Sequence, residues 1–408
     1  MTANLRRCAA VAASTLLIAG CTGEPSSSPS SSSAPTTTTT TGAAAVKDFD
    51  PAVAQRLDTA INDAMKATNV PGVIVGLWGP DGEYVRAFGV ADKATGAPPK
   101  PDFYHRIGSV TKTFTVTGVL QLVDAGKVKL DDPIARYVDG VPKGDRITLR
   151  QLARMQSGLH NYSATEGFQK ALYGDPKRPF TPRELLDFAF AEPNDFEPGQ
   201  GFEYCNTNTI LLGLTVEKVS GQSLHDYVRD HILTPLKLSH TSFPTDNTFP
   251  EPHAQGYTLD ADDKEVTATD WDPSWGWAAG AMISTLDDMR TWADALASGA
   301  LLTPETQRER LETVNAPPLP PQDGYGVGIF DLAGWVGHNG SLPGYQTVVV
   351  HLAEKQTTLV IMSNTDIPAG GGEPSTALAN AITKIISPEH VYTLSPEVQA
   401  PPPTTKPR

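Results

Sequence analysis

Cysteine is nearly absent. The 408 residues hold three: Cys8, Cys21 and Cys205. Cys8 lies in an N-terminal leader and Cys21 directly follows it, so Cys205 is the one thiol expected in the folded body. No internal disulfide can hold that body together, and its stability must come from a core. Basic charge is also short. Lys and Arg number 32 against 46 Asp and Glu, a net charge of −14. That excludes the basic footprint nucleic-acid binding needs, and adhesion to acidic lipid by charge alone. There is no His-Glu-x-x-His and no Cys/His cluster at metal-ligand spacing, so no metal or other cofactor is expected. No apolar run reaches the roughly 18 residues of a spanning helix.

Arg6 and Arg7 precede an apolar run through Val11, Leu16, Leu17 and Ile18 that ends at Ala19-Gly20-Cys21. This is the pattern of a secretory signal. The stretch from Leu17 to Cys21 resembles a bacterial lipobox. The resemblance implies that residues 1–20 are a lipoprotein signal peptide, that Cys21 carries a lipid, and that the protein is extracytoplasmic and anchored to the cell membrane. Residues 21–47 are rich in Ser, Thr and Pro and read as a flexible tether. Residues 48–390 form the expected folded domain, and 391–408 a disordered Pro-rich tail.

Within the domain, Asp50 to Ala67 has Val53, Leu57, Ile61 and Met65 at helical spacing. Val73 to Trp78 reads as a strand, Gly79-Pro80-Asp81-Gly82 as a turn, and Tyr84 to Val90 as a return strand. Helices follow from Ser109, Thr148, Thr181, Thr207, Leu224 and Thr285. Strands return at Tyr325–Asp331, Trp335–Asn339, Tyr345–Leu352 and Thr358–Ser363, and Thr376–Ile386 is a last helix. Strands at both ends with helices between imply an α/β (α+β) fold. One antiparallel sheet is built from both chain ends and flanked by helices, with a mostly helical lobe inserted over about 112–320.

Ser109-Val110-Thr111-Lys112 puts a hydroxyl and an amine just under one helical turn apart, on the same face. A neutral amine beside a serine is one way to activate it for acyl transfer. Alone, this spacing arises about once by chance in such a chain. Tyr204-Cys205-Asn206 and His338-Asn339-Gly340 follow in order. Together the three motifs resemble the serine penicillin-recognising superfamily, in its branch of class C β-lactamases, D-alanyl-D-alanine carboxypeptidases and esterases. Gly108 to Phe114, Leu130 to Ile134, Gly280 to Thr285 and Gly337 to Gly340 extend the likeness, which covers about Asp50 to Pro388.

The resemblance implies a β-lactamase/transpeptidase-like fold and a catalytic Ser109, Lys112 and Tyr204. Which of Lys112 and Tyr204 is the base stays open. It further implies that the N–H groups of Ser109 and Ser341 form an oxyanion hole, that Asn206, His338 and Gly340 bind substrate, and that Trp275 is an aromatic wall of the cleft. Packing in the lobe core would suit Trp275 equally well. Two departures bear on substrate. Phe330 stands where the secreted carboxypeptidases carry a carboxylate-binding arginine, and Asn339 replaces a hydroxyl residue. Both favour an apolar acyl or alcohol part over a free carboxylate. The expected activity is hydrolysis of an ester or amide, either a peptidoglycan peptide or a small ester, through an acyl-enzyme. A non-catalytic cell-wall sensor of the same fold is the alternative.

Overall fold

The computed structural model describes residues 47–369, 372–395 and 398. The expected signal peptide, Cys21 and all but the last residue of the tether lie outside the described residues. Helix α1 (Pro51–Thr68) starts where Asp50 accepts the Ala52 and Val53 N–H groups and Pro51 takes the first helical position. Its buried face is Leu57, Ile61 and Met65. Helices α2 (Thr111–Asp124), α3 (Asn206–Ser220), α4 (Leu286–Ser298) and α5 (Pro374–Ile386) are the other long elements that position the site.

Strands β1 (Gly72–Gly79) and β2 (Gly82–Gly89) form a hairpin. The others come from the far end of the chain: β3 (Val314–Asn315), β4 (Gly324–Tyr325), β5 (Phe330–Leu332), β6 (Trp335–Leu342), β7 (Tyr345–Leu352) and β8 (Thr357–Ser363). They join in one antiparallel sheet ordered β2-β1-β8-β7-β6-β5-β4-β3. The two chain ends meet at β1 and β8, with Val73 opposite Ser363 and Trp78 opposite Thr358.

Both faces of this sheet are covered, so β1 and β8 read as nearly unbroken apolar runs. Val73, Val75, Leu77, Leu359 and Ile361 share a core with Leu57 and Ile61 of α1 and Leu378 and Ile382 of α5. Ile74, Trp78, Val360 and Met362 point the other way, into a core with Met289 and Trp292 of α4. That second core continues through Phe114, Val119 and Leu120 of α2 into the helical lobe, where Leu149–Ala153 and Pro182–Phe190 pack on α3 and Glu166–Gly174 packs on Pro182–Phe190.

Three expectations are corrected. The lobe gives way to the sheet earlier than about residue 320, because α4 lies against β1, β7 and β8, and Val314–Asn315 is the sheet's edge strand. The single strand expected over Tyr325–Asp331 is split. Gly328 turns the chain at φ +72°, the Gly326 N–H donates to the Ile329 carbonyl at 2.7 Å, and a Cβ on Gly328 would meet Val116 of α2 at 2.6 Å. The disordered tail expected from 391 begins with packed chain instead. Tyr392, Leu394 and Val398 are buried with α1 and α5, and Asn380 donates to the Tyr392 carbonyl at 3.2 Å. Tyr392→Ala should therefore cost about 3–5 kcal/mol in denaturant unfolding, the range for deleting a buried aromatic. An unchanged midpoint would return this segment to the tail.

Candidate active site

Ser109 sits in a single 3-10 turn, Gly108–Val110, that runs directly into α2. It is part-exposed, whereas Lys112 one turn later is fully buried. The turn is held against β6 by close backbone contact. Gly108 has φ +54°, and a Cβ there would lie 2.6 Å from the Ser341 nitrogen. A Cβ on Gly340 would lie 2.0 Å from the Ile107 oxygen and 3.0 Å from the Ser109 nitrogen. Only glycine fits at either position. The two glycines thus bring the Ser109 and Ser341 backbone nitrogens into one neighbourhood, the arrangement an oxyanion hole requires.

The Lys112 amine has three near partners: Ser109 Oγ at 2.9 Å, Asn206 Oδ1 at 2.7 Å and the Ala279 carbonyl at 2.9 Å. None carries a charge. Burial therefore pushes the amine down to about 7, because the charged form loses water and gains no counter-ion. A neutral amine has two protons and one lone pair. Asn206 Oδ1 and the Ala279 carbonyl can only accept, so they take both protons and leave the lone pair facing Ser109.

Tyr204 lies across the site, with its ring centroid 4.9 Å from Lys112 Nζ. Burial raises its phenol far above the ordinary range. The hydroxyl lies against Ser109, which offsets part of the rise, without completing a well-formed hydrogen bond. The ring is stacked on Phe330 (centroids 6.2 Å, planes 12° apart) and meets Tyr325 edge-on. Phe330 is thus a buried support for Tyr204. Cys205, between the two motif residues, points its thiol at the Leu159 carbonyl, and burial pushes it up to about 12.

The other expected site residues divide. Gly340 and Ser341 are at the nucleophile. Asn206, expected to meet substrate, has both ends of its amide engaged: Oδ1 accepts from Lys112, and Nδ2 donates to Ser163 Oγ at 3.0 Å. His338, also expected to bind substrate, is 1% exposed. Its Nδ1–H donates to the Asn339 carbonyl at 2.5 Å, and its Nε2 accepts from the Tyr325 hydroxyl at 3.2 Å. Burial, reinforced by Lys112, pushes its pKa down to about 3, so the ring stays neutral. Trp275 packs in the lobe core, 5.8 Å from Phe168 between ring centroids. Its carbonyl accepts the Tyr162 hydroxyl.

The Ala279 carbonyl, Ser163, Asn161 and Tyr325 also belong to the site, though the sequence did not mark them for it. A backbone carbonyl carries no side-chain signal. The other three lie outside the motifs and reach the site by tertiary contact. Among the described residues, no group of three or more His, Cys, Asp or Glu could hold a metal ion, and no helix is long and apolar enough to cross a membrane.

The chain matches the Beta-lactamase family over residues 57–383, and it belongs to that family. It is a serine hydrolase of this superfamily. A putative penicillin-binding protein, PbpX, of Bacillus subtilis (strain 168) is 27% identical over 287 residues, covering 70% of this chain and 68% of that protein. A D-stereospecific amidohydrolase from Streptomyces sp. superposes with a TM-score of 0.74 at 30% identity, over 83% of this chain and 99% of that one. A D-amino acid amidase from Ochrobactrum anthropi SV3, complexed with D-phenylalanine, gives 0.74 at 26%, over the same shares.

Gly340→Ala should lower kcat by about a hundredfold or more, the effect of displacing one oxyanion donor, with the fold retained by circular dichroism. Wild-type turnover in this variant would detach β6 from the chemistry.

Proposed function

We propose that this protein hydrolyses amides or esters through an acyl-enzyme on Ser109, with Lys112 as the base. The observation that carries this is the Lys112 amine. It is buried, held by two obligate acceptors, and aimed at the nucleophile. As Ser109 attacks a carbonyl, its proton passes to Nζ and the Ser109 and Ser341 N–H groups receive the oxyanion. Tyr204 is too weak an acid to serve as a phenolate base. Its hydroxyl, which lies against Ser109, relays the proton from Lys112 to the leaving group, and water then releases the acyl group by the reverse path.

The leaving-group side favours an uncharged substrate. His338 is neutral with both nitrogens engaged, and Phe330 is sealed beneath Tyr204, so neither can hold a carboxylate. A D-aminoacyl amide or a small ester fits this better than a peptide ending in free D-alanine, and the likeness to two D-selective amidohydrolases supports the choice. Membrane attachment through Cys21 completes the reading, with the body working outside the cytoplasm. Cys21→Ala should release the protein from the membrane fraction, and retention there would remove the anchor.

A fluorophosphonate should add one phosphonyl group to Ser109 in intact-mass spectrometry. The rate should fall as pH drops through about 7, because protonation of Lys112 removes its lone pair, and should level off above it. D-phenylalanine amide and p-nitrophenyl esters should turn over faster than D-alanyl-D-alanine peptides, and penicillin should acylate poorly. No adduct on the folded protein would favour a binding module instead.

A further inference from the structure

We infer that Ser163 is a positioning residue that sets which end of the Asn206 amide faces Lys112, and so where the lysine lone pair points. This deepens the function proposed above and rests on Lys112 being the base. Ser163 is buried in the helical lobe and reaches the site through Asn161 and Asn206. It acts through a one-way chain of hydrogen bonds.

The chain starts at two backbone groups that can only donate. The Asn206 N–H and the Ser163 N–H both reach Asn161 Oδ1, at 3.2 and 3.4 Å. They fix the oxygen end of the Asn161 amide toward Ser163. With that oxygen in place, the Ser163 hydroxyl donates its one proton to it at 3.1 Å. The hydroxyl can then only accept from Asn206, whose Nδ2 donates to it at 3.0 Å. That leaves Asn206 Oδ1 for Lys112 at 2.7 Å. Each bond settles the direction of the next.

The direction matters because an amide has one end of each kind. Turned the other way, Asn206 would offer N–H to the lysine nitrogen. The neutral amine would accept it with the lone pair that Ser109 needs. The neutral form would gain a partner, so the amine would deprotonate at lower pH, yet it would be a poorer base toward Ser109. A hydroxyl that served packing alone would change neither property in this linked way.

The test is the rate of Ser109 phosphonylation by a fluorophosphonate against pH, on the full chain. Ser163→Ala should lower the plateau about tenfold, the effect of losing one well-formed hydrogen bond, and move the midpoint below the wild-type value near 7. Ser163→Thr, which keeps an acceptor and donor, should restore both. If the alanine variant melts early, Ser163→Cys keeps the volume with a weak acceptor and should show the same two changes. In an Asn206→Asp background both ends of the side chain are oxygens, so adding Ser163→Ala should leave the midpoint where Asn206→Asp alone puts it. Wild-type plateau and midpoint in folded Ser163→Ala or Ser163→Cys would overturn this inference and leave the proposed hydrolase standing. A wild-type protein that takes no phosphonate would sink the hydrolase itself.

Discussion

The structure depends on one amine buried without a counter-ion. A lysine in water is protonated and useless as a base. In this fold it is surrounded by three neutral oxygens and walled from solvent, and its charge becomes costly enough to be shed near neutral pH. That demands a closed environment from several elements at once. The first turn of α2 brings Lys112, the start of α3 brings Asn206, and the short helix Trp277–Gly280 brings the Ala279 carbonyl. Were any of the three to move away, water or an unpaired polar group would replace it, and the amine would regain its proton or lose its aim.

The requirement explains why the two lobes share a core. Phe114, Val119 and Leu120 tie α2 into the same apolar mass as the sheet residues Val360 and Met362 and the lobe residues Leu185 and Leu211. Elsewhere the contact is backbone on backbone. Gly108 and Gly340 let the nucleophile turn and β6 approach so closely that a methyl group on either would force them apart. Apolar packing sets the coarse position of the nucleophile, and the glycines set the last ångström.

The aromatic floor under Tyr204 shows what this chain has changed relative to the pattern it resembles. Phe330, Tyr325 and His338 surround the ring, and all three are buried. A charged group among them would have to be desolvated beside Lys112, which the site cannot compensate. Neutral His338 and apolar Phe330 put no charge of their own against the Tyr204 ring. The mechanism and the substrate preference proposed above both rest on this lack of charge beside the ring.

Much was legible in the sequence. Helical spacing gave α1, and the apolar runs of β1 and β8 gave the sheet, because these signals are local and repeat along the chain. Ser109, Lys112 and Tyr204 could be proposed because three short motifs in order resemble those of a known superfamily. The roles of Asn206, His338 and Trp275 could not. Whether an amide meets substrate or lysine, whether an imidazole is charged, and whether an indole lines a cleft or fills a core are decided by neighbours distant in the chain. Ser163 and the Ala279 carbonyl are the extreme cases, since nothing in their own sequence context marks them. Residue order determined which groups were present. The tertiary structure alone decided their protonation and direction, because burial and hydrogen-bond partners arise only when remote segments pack together.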